Sequence, residues 1–165
     1  MPLGTRVVLS LLDVIPPSDR PSYTVYFDSF FTSYNLLAHL SKMSIRATGT
    51  VRENRTGHCP LIPVSTIAKE KRGSFDHCCL IVRWHDNSVV TMATNVDTVQ
   101  PMESCKRWSR ENNSRIDVQQ RRVIANYNTN MGGVDLHDWN LIIPYNLLIC
   151  KYMSFEFLVC RHLLL

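Results

Sequence analysis

The stretch YTVYFDSFFTSYNLLAHLSKMSIRATGTV, Tyr23 to Val51, changes its apolar rhythm twice and decides the fold class. Tyr23 to Phe31 is aromatic and β-branched, a composition that favours strand. It is apolar on both faces up to Asp28, which suits a strand in the middle of a sheet covered by helices. Ser33 is placed to N-cap a helix over Tyr34 to Lys42, with Leu36, Leu37 and Leu40 as its apolar stripe. Ile45 to Val51 alternates and reads as a second strand. Strand, helix and strand in about 30 residues make a βαβ unit, so the expected class is α/β.

Upstream, Val7 to Ile15 is apolar except at Ser10 and Asp13, which share one face, and it reads as a mostly buried helix ended by Pro16-Pro17. Downstream, from Arg52 to about Arg122, Gly57, Pro60, Pro63 and Gly73 punctuate a polar stretch. Within it, Cys79 to Trp84 and Ser88 to Ala93 form a hairpin around His85-Asp86-Asn87. Helical spacing returns at Val123 to Thr129, Gly132-Gly133 is expected to break it, and Val134 to Asn140 restarts it. Tyr145 to Leu165 is a long apolar segment of helical character that ends on Leu163-Leu164-Leu165 without a cap, as a truncated helix would. The expected division is therefore 1–51, 52–122 as a β-rich basic insertion, and 123–165 as a helical part.

At 165 residues with 45% hydrophobic and 19% charged, the chain has apolar material enough for a core and is unlike a disordered one. Its net charge of +4 is concentrated. Arg46 to Arg72 holds six Lys/Arg against Glu53 and Glu70, and Lys106 to Arg122 holds six against Glu111 and Asp117. Such stretches are either solvated surface or a footprint for nucleic acid. Six cysteines without a C-x-x-C pair, and no secretory signal, read as reduced thiols inside a cell. His58-Cys59 and His77-Cys78-Cys79 fit no closed zinc pattern. No stretch has the roughly 20 apolar residues of a membrane helix. Trp84, Trp108 and Trp139 read as core in preference to base-stacking residues.

Three acids carry the sharpest chemistry. Asp28 ends a buried strand, where α/β sheets open into a ligand crevice; it could equally cap the next turn. Asp135 and Asp138, three apart, share a helix face just after the glycine pair, and acids near a helix N-terminus are also favoured by the dipole alone. Together one strand acid and two helix acids suit phosphoryl-transfer nucleases, which hold two Mg²⁺ about 3.5–4 Å apart on carboxylate oxygens.

Tyr127 to Asp138, Y-N-T-N-M-G-G-V-D-L-H-D, resembles the Y-N-x-x-M-G-G-V-D-x-x-D motif of piggyBac-type transposases and their domesticated descendants. F-D-S-F-F-T-S around Asp28 resembles the family's D-N-x-F-T-S block, and Ala47 to Arg55, A-T-G-T-V-R-E-N-R, its G-T-x-R-x-N-R segment. Lys71-Arg72-Gly73 and Arg83 to Val90 follow in order, so that the likeness runs from about Val7 to Cys150. The resemblance implies a partial RNase H-like catalytic core with a β-rich insertion. It implies Asp28 and Asp135 as the second and third catalytic, metal-binding acids, Asp138 as an additional acid, and Mg²⁺ as cofactor. It implies DNA as partner, contacted through Arg52, Arg55, Lys69, Lys71, Arg72, Arg107 and Arg110, a homodimer as compatible with the full-length protein, no membrane, and a nuclear location.

Departures accompany the likeness. The family's first catalytic Asp belongs to a strand upstream of Val7, and its Cys-rich zinc tail lies beyond Leu165; Asp13, inside a helix, and Asp19, in a Pro-bracketed loop, are no substitutes. Ser29 stands where Asn is usual, Asn146 where Arg is usual after Tyr145, and Lys151-Tyr152 in place of Lys-Trp. The expectation is a fragment of a piggyBac-derived transposase, inactive as this chain. The alternatives are a non-catalytic domesticated DNA-binding protein and a relic reading frame without selected function.

Overall fold

The computed structural model describes the backbone of residues 2–141 and 157–161 and the side chains of residues 2–131. Helix α1 (Leu3–Leu12) precedes strand β1 (Tyr23–Phe27), helix α2 (Tyr34–Lys42) and strand β2 (Arg46–Thr50). β1 and β2 pair in parallel, Thr24 opposite Arg46 and Phe27 opposite Gly49, so the βαβ unit stands as the sequence reads. Ser33 caps α2 by accepting the Leu36 N–H at 3.2 Å, and Leu36, Leu37 and Leu40 are buried.

The chain continues through a short helix α3 (Val64–Ile67), strands β3 (Phe75–Cys78), β4 (Ile81–His85), β5 (Val89–Thr94), β6 (Met102–Ser109) and β7 (Ser114–Arg121), helix α4 (Arg122–Leu141) and strand β8 (Phe157–Arg161). Among the described residues one sheet has the order β3-β4-β5-β2-β1-β8, and β6 and β7 form a separate two-stranded ribbon. The β4–β5 hairpin turns around His85-Asp86-Asn87 as expected. Its sheet nevertheless crosses residue 52, since β5 pairs antiparallel with β2, Thr48 opposite Thr94. Asn95 prolongs that seam. Its Oδ1 accepts the Ala47 N–H at 2.7 Å and its Nδ2 donates to the Ile45 carbonyl at 2.9 Å.

Three local readings are corrected. α1 is amphipathic and not mostly buried: Gly4, Thr5, Val8 and Leu12 face inward while Val7 and Leu11 are exposed, because a run apolar all round still presents one stripe to a core on one side only. α4 runs through Gly132-Gly133 without a break; glycine in a helix interior costs about 1 kcal/mol, which packing can override. Phe157–Arg161 is a strand and not a helix, antiparallel to β1. A short apolar run has no decisive period, and the open edge of β1 offers it backbone partners. The rest of the expected C-terminal helix, 145–156 and 162–165, lies outside the described residues.

Alternation along the strands feeds two cores, one on each face. Val25, Phe27, Ala47, Ile81 and Ala93 pack with Val8, Leu12, Leu36, Leu37 and Leu40. Val82, Trp84 and Met92 pack with Val118 of β7 and Val123 and Ile124 of α4. Trp84 is core, as expected, and donates Nε1–H to the Gln119 carbonyl at 3.0 Å. Trp108 is not: its side chain is largely exposed, because odd and even positions of β6 point to opposite sides and Trp108 falls on the outer one.

Arg83 is the largest fully buried side chain. Its Nε donates to Thr91 Oγ1 at 3.1 Å, its Nη1 to the Ile62 carbonyl, and its Nη2 to Glu53 Oε2. One guanidinium thus ties the 52–63 connection to β4 and β5. A buried cation tolerates this only with every donor direction answered. Arg83→Ala should lower stability by about 3 kcal/mol. Glu53→Ala should lower it by only about 1–2 kcal/mol, since that carboxylate is mostly solvated. Urea denaturation of the two variants checks the order, and equal losses would contradict this account of Arg83.

Candidate functional site

Asp28 immediately follows β1, beside the end of its parallel neighbour β2. It is half-buried. Its Oδ1 accepts the Phe30 N–H at 2.8 Å, and its carbonyl accepts the Thr32 N–H at 3.1 Å and the Thr32 hydroxyl at 2.6 Å. The carboxylate therefore does cap its own turn, as the local sequence allows. Among the described residues Oδ2 has no hydrogen bond, so capping leaves half of the carboxylate available to a ligand.

The turn from Asp28 to Thr32 is held from three directions. A Cβ on Gly49 of β2 would lie 2.4 Å from the Phe27 carbonyl oxygen and 2.4 Å from Thr32 Oγ1. A Cβ on Gly4 of α1 would lie 2.9 Å from the Phe30 carbonyl oxygen. Both are close approaches that only a missing side chain permits. From the third direction, Arg55 Nη1 donates to the Ser29 carbonyl at 3.2 Å and the Phe30 carbonyl at 2.6 Å. Arg52 Nε reaches Ser29 Oγ at 3.5 Å, a long contact.

Asp135 and Asp138 lie on α4, the helix that packs on β1 and β2. Their side chains lie outside the described residues, as does that of Trp139. Where the side chains of α4 are described, they meet the sheet through a polar layer. Thr48 Oγ1 lies 2.9 Å from Thr94 Oγ1 and donates to Asp97 Oδ2 at 2.8 Å, and Asn126 Nδ2 donates to Asp97 Oδ1 at 2.7 Å. Asp97 thus orients α4 on the sheet. Sequence reasoning passed it over; the polar run Thr94-Asn95-Val96-Asp97 straight after a strand was the signal available.

The seven basic residues fall into two groups. Arg72 donates to Asp86 Oδ1 and, at 2.9 Å, to the Trp108 carbonyl, while Arg107 Nε lies 3.3 Å from Asp86 Oδ2. The Arg107 contact meets the distance for an ion pair while its buried Nε makes no hydrogen bond; attraction between charges needs no alignment, so the ion pair is the sounder description. Arg72, Asp86 and Arg107 lock the β6–β7 ribbon to β4–β5, and Arg55 is committed to the Asp28 turn. Lys69, Lys71 and Arg110 are exposed, and no ion pair involves them among the described residues; Arg52 is exposed beyond its one long contact.

Cys59, Cys78, Cys79 and Cys105 are free thiols. A hydrogen bond with Cys59 pushes the Cys78 thiol above its ordinary value, with Cys79 working against it, and Cys78 in turn pushes up Cys79. The direction at Cys78 and Cys79 is away from the thiolate that binds a metal. Among the described residues no group of three His, Cys, Asp or Glu is placed to hold a metal ion.

Residues 1–151 match a family model described as Transposase IS4. A solved structure of a piggyBac transposase synaptic complex with hairpin DNA superposes with a TM-score of 0.60 at 20% identity, covering 87% of this chain and 28% of that one, a likeness of fold. The fold is thus like that of a transposase. Human PiggyBac transposable element-derived protein 2 is 36% identical over 145 residues, and human PiggyBac transposable element-derived protein 3 is 37% identical over 144. Both alignments cover 84% of this chain and 24% of the relative, so the chain spans about a quarter of their length. The chain belongs to the piggyBac transposase family.

Gly49→Ala should lower stability by about 3 kcal/mol, since the methyl meets a carbonyl and a buried threonine rather than a movable chain end. Thr32→Val, which keeps the shape and removes the hydroxyl's hydrogen bond to the Asp28 carbonyl, should lower it by about 1 kcal/mol. Chemical denaturation of both variants decides: a Gly49→Ala protein as stable as the parent would mean the turn is not wedged against β2.

Proposed function

We propose that this chain is part of a DNA transposase, or of a non-catalytic DNA-binding protein derived from one, and that it contributes a DNA-contacting surface and two of the family's metal-binding acids. The observation that carries the reading is the 36–37% identity to piggyBac-derived proteins over most of the chain, with the Y-N-x-x-M-G-G-V-D block intact from Tyr127 to Asp135. The core is read as RNase H-like. Asp28 and Asp135 are the second and third catalytic acids of the resemblance, and Asp138 supports them.

Asp28 fits such a role in chemistry and in place, with one hard carboxylate oxygen free at the end of a central strand. Asp28, Asp135 and Asp138 would hold Mg²⁺, the cation that such oxygens suit, which when bound lends charge stabilisation to phosphodiester cleavage.

For DNA contact, the exposed cations are the primary candidates: Arg52, Lys69, Lys71 and Arg110. Arg55, Arg72 and Arg107, each engaged by the fold, contribute their field while positioning the others. The nuclear location belongs to the same reading, because it follows from the DNA partner alone.

Binding of the 165-residue chain to a fluorescein-labelled duplex of mixed sequence should fall steeply between about 50 and 200 mM salt. Replacing Lys69 and Lys71 together by Ala should flatten the slope of log affinity against log salt by about 1.8, two phosphate contacts' worth. Arg72→Ala should instead lower the melting temperature. Affinity that ignores salt would overturn the DNA reading.

A further inference from the structure

We propose that the outward face of the β6–β7 ribbon is a stacking platform for an unpaired DNA base, with Trp108 as the base-contacting residue; this rests on the reading of the chain as DNA-binding. The indole of Trp108 is 55% exposed. A single exposed apolar side chain is ordinary, so exposure alone decides nothing. What marks Trp108 is that its surroundings are rigid and positive.

The rigidity comes from behind. The inner face of the ribbon packs Cys105, Ile116 and Val118 into the second core. Arg72 donates to the Trp108 carbonyl itself, and Asp86 gathers Arg72 and Arg107. The backbone that carries the indole is therefore fixed before any ligand arrives, which lowers the ordering cost of binding.

The charge lies in front. In the antiparallel register Trp108 stands opposite Arg115, and Lys106, two residues back on the same face, stands opposite Asp117. Arg110 follows at the head of the turn. Lys106, Arg110 and Arg115 are exposed, and among the described residues none forms an ion pair. Asp117, the acid on that face, is engaged by Ser104 Oγ at 3.4 Å. An aromatic ring among unpaired cations is the combination that binds single strands, the cations following phosphates and the ring taking a base. A stacked duplex keeps its base faces covered, so an indole in this position gains a partner only where a base is unpaired.

The test uses the full chain with fluorescein-labelled oligothymidylate and, in parallel, a duplex of mixed sequence. Trp108→Ala should weaken oligothymidylate binding about tenfold and leave duplex binding within about twofold, and Trp108→Phe should restore most of the loss. Far-UV circular dichroism of Trp108→Ala should match the parent, because the indole contributes to neither core. Duplex binding without oligothymidylate binding, or an equal loss on both, would overturn the platform and leave the DNA reading standing. Binding to neither would remove both.

Discussion

The constraint on which the rest of the site depends is the contact between β2 and the end of β1 at Gly49. With no side chain there, the Phe27 carbonyl and the Thr32 hydroxyl close over the second strand, and the chain turns back sharply enough for Ser33 to start α2. Gly4 allows α1 to close on the same turn from outside, and Arg55 fastens it through two carbonyls. The carboxylate of Asp28 is therefore placed by backbone packed against backbone, which leaves little room to relax. A carboxylate so placed, at the end of a central strand with one oxygen unspent, is positioned for a ligand by the fold and not by its own flexibility.

A second theme is that arginine does two jobs in this chain. Arg83 is wholly internal and knits the 52–63 connection to the sheet. Arg55, Arg72 and Arg107 sit at the boundary, answered by carbonyls or by Asp86. Their multidirectional donors suit them to joining segments that share no regular hydrogen-bond ladder. The exposed charges that remain are mostly lysines and the arginines at the ribbon. A basic segment can thus be structural at one residue and available at the next, which a count of charges along the sequence does not distinguish.

Much of the fold was legible where local signals agree. Ser33, the Leu36-Leu37-Leu40 stripe and two flanking strands specify the βαβ unit by themselves, and His85-Asp86-Asn87 marks its hairpin. Less legible was everything settled by a distant partner. β4 and β5 read as strands but not as neighbours of β2, because the pairing of Thr48 with Thr94 is a long-range matter. Gly132-Gly133 carries a break signal that α4 overrides, and Phe157–Arg161 becomes a strand because an edge of β1 is there to pair with. At the site, Asp28 was visible from its place after a buried strand, whereas Asp97 was not, its role resting on Thr48 and Asn126 from other elements.

We propose that Asp28 and the acids of α4 serve one hard-cation site. It is tested most directly by titrating the isotope-labelled chain with Mn²⁺ and following paramagnetic broadening of its amide signals. The account predicts broadening centred on residues 28–30 and 135–138, lost from both places in Asp28→Asn and likewise in Asp135→Asn. Broadening at residues 28–30 that survives Asp135→Asn, or none at either place, would contradict it.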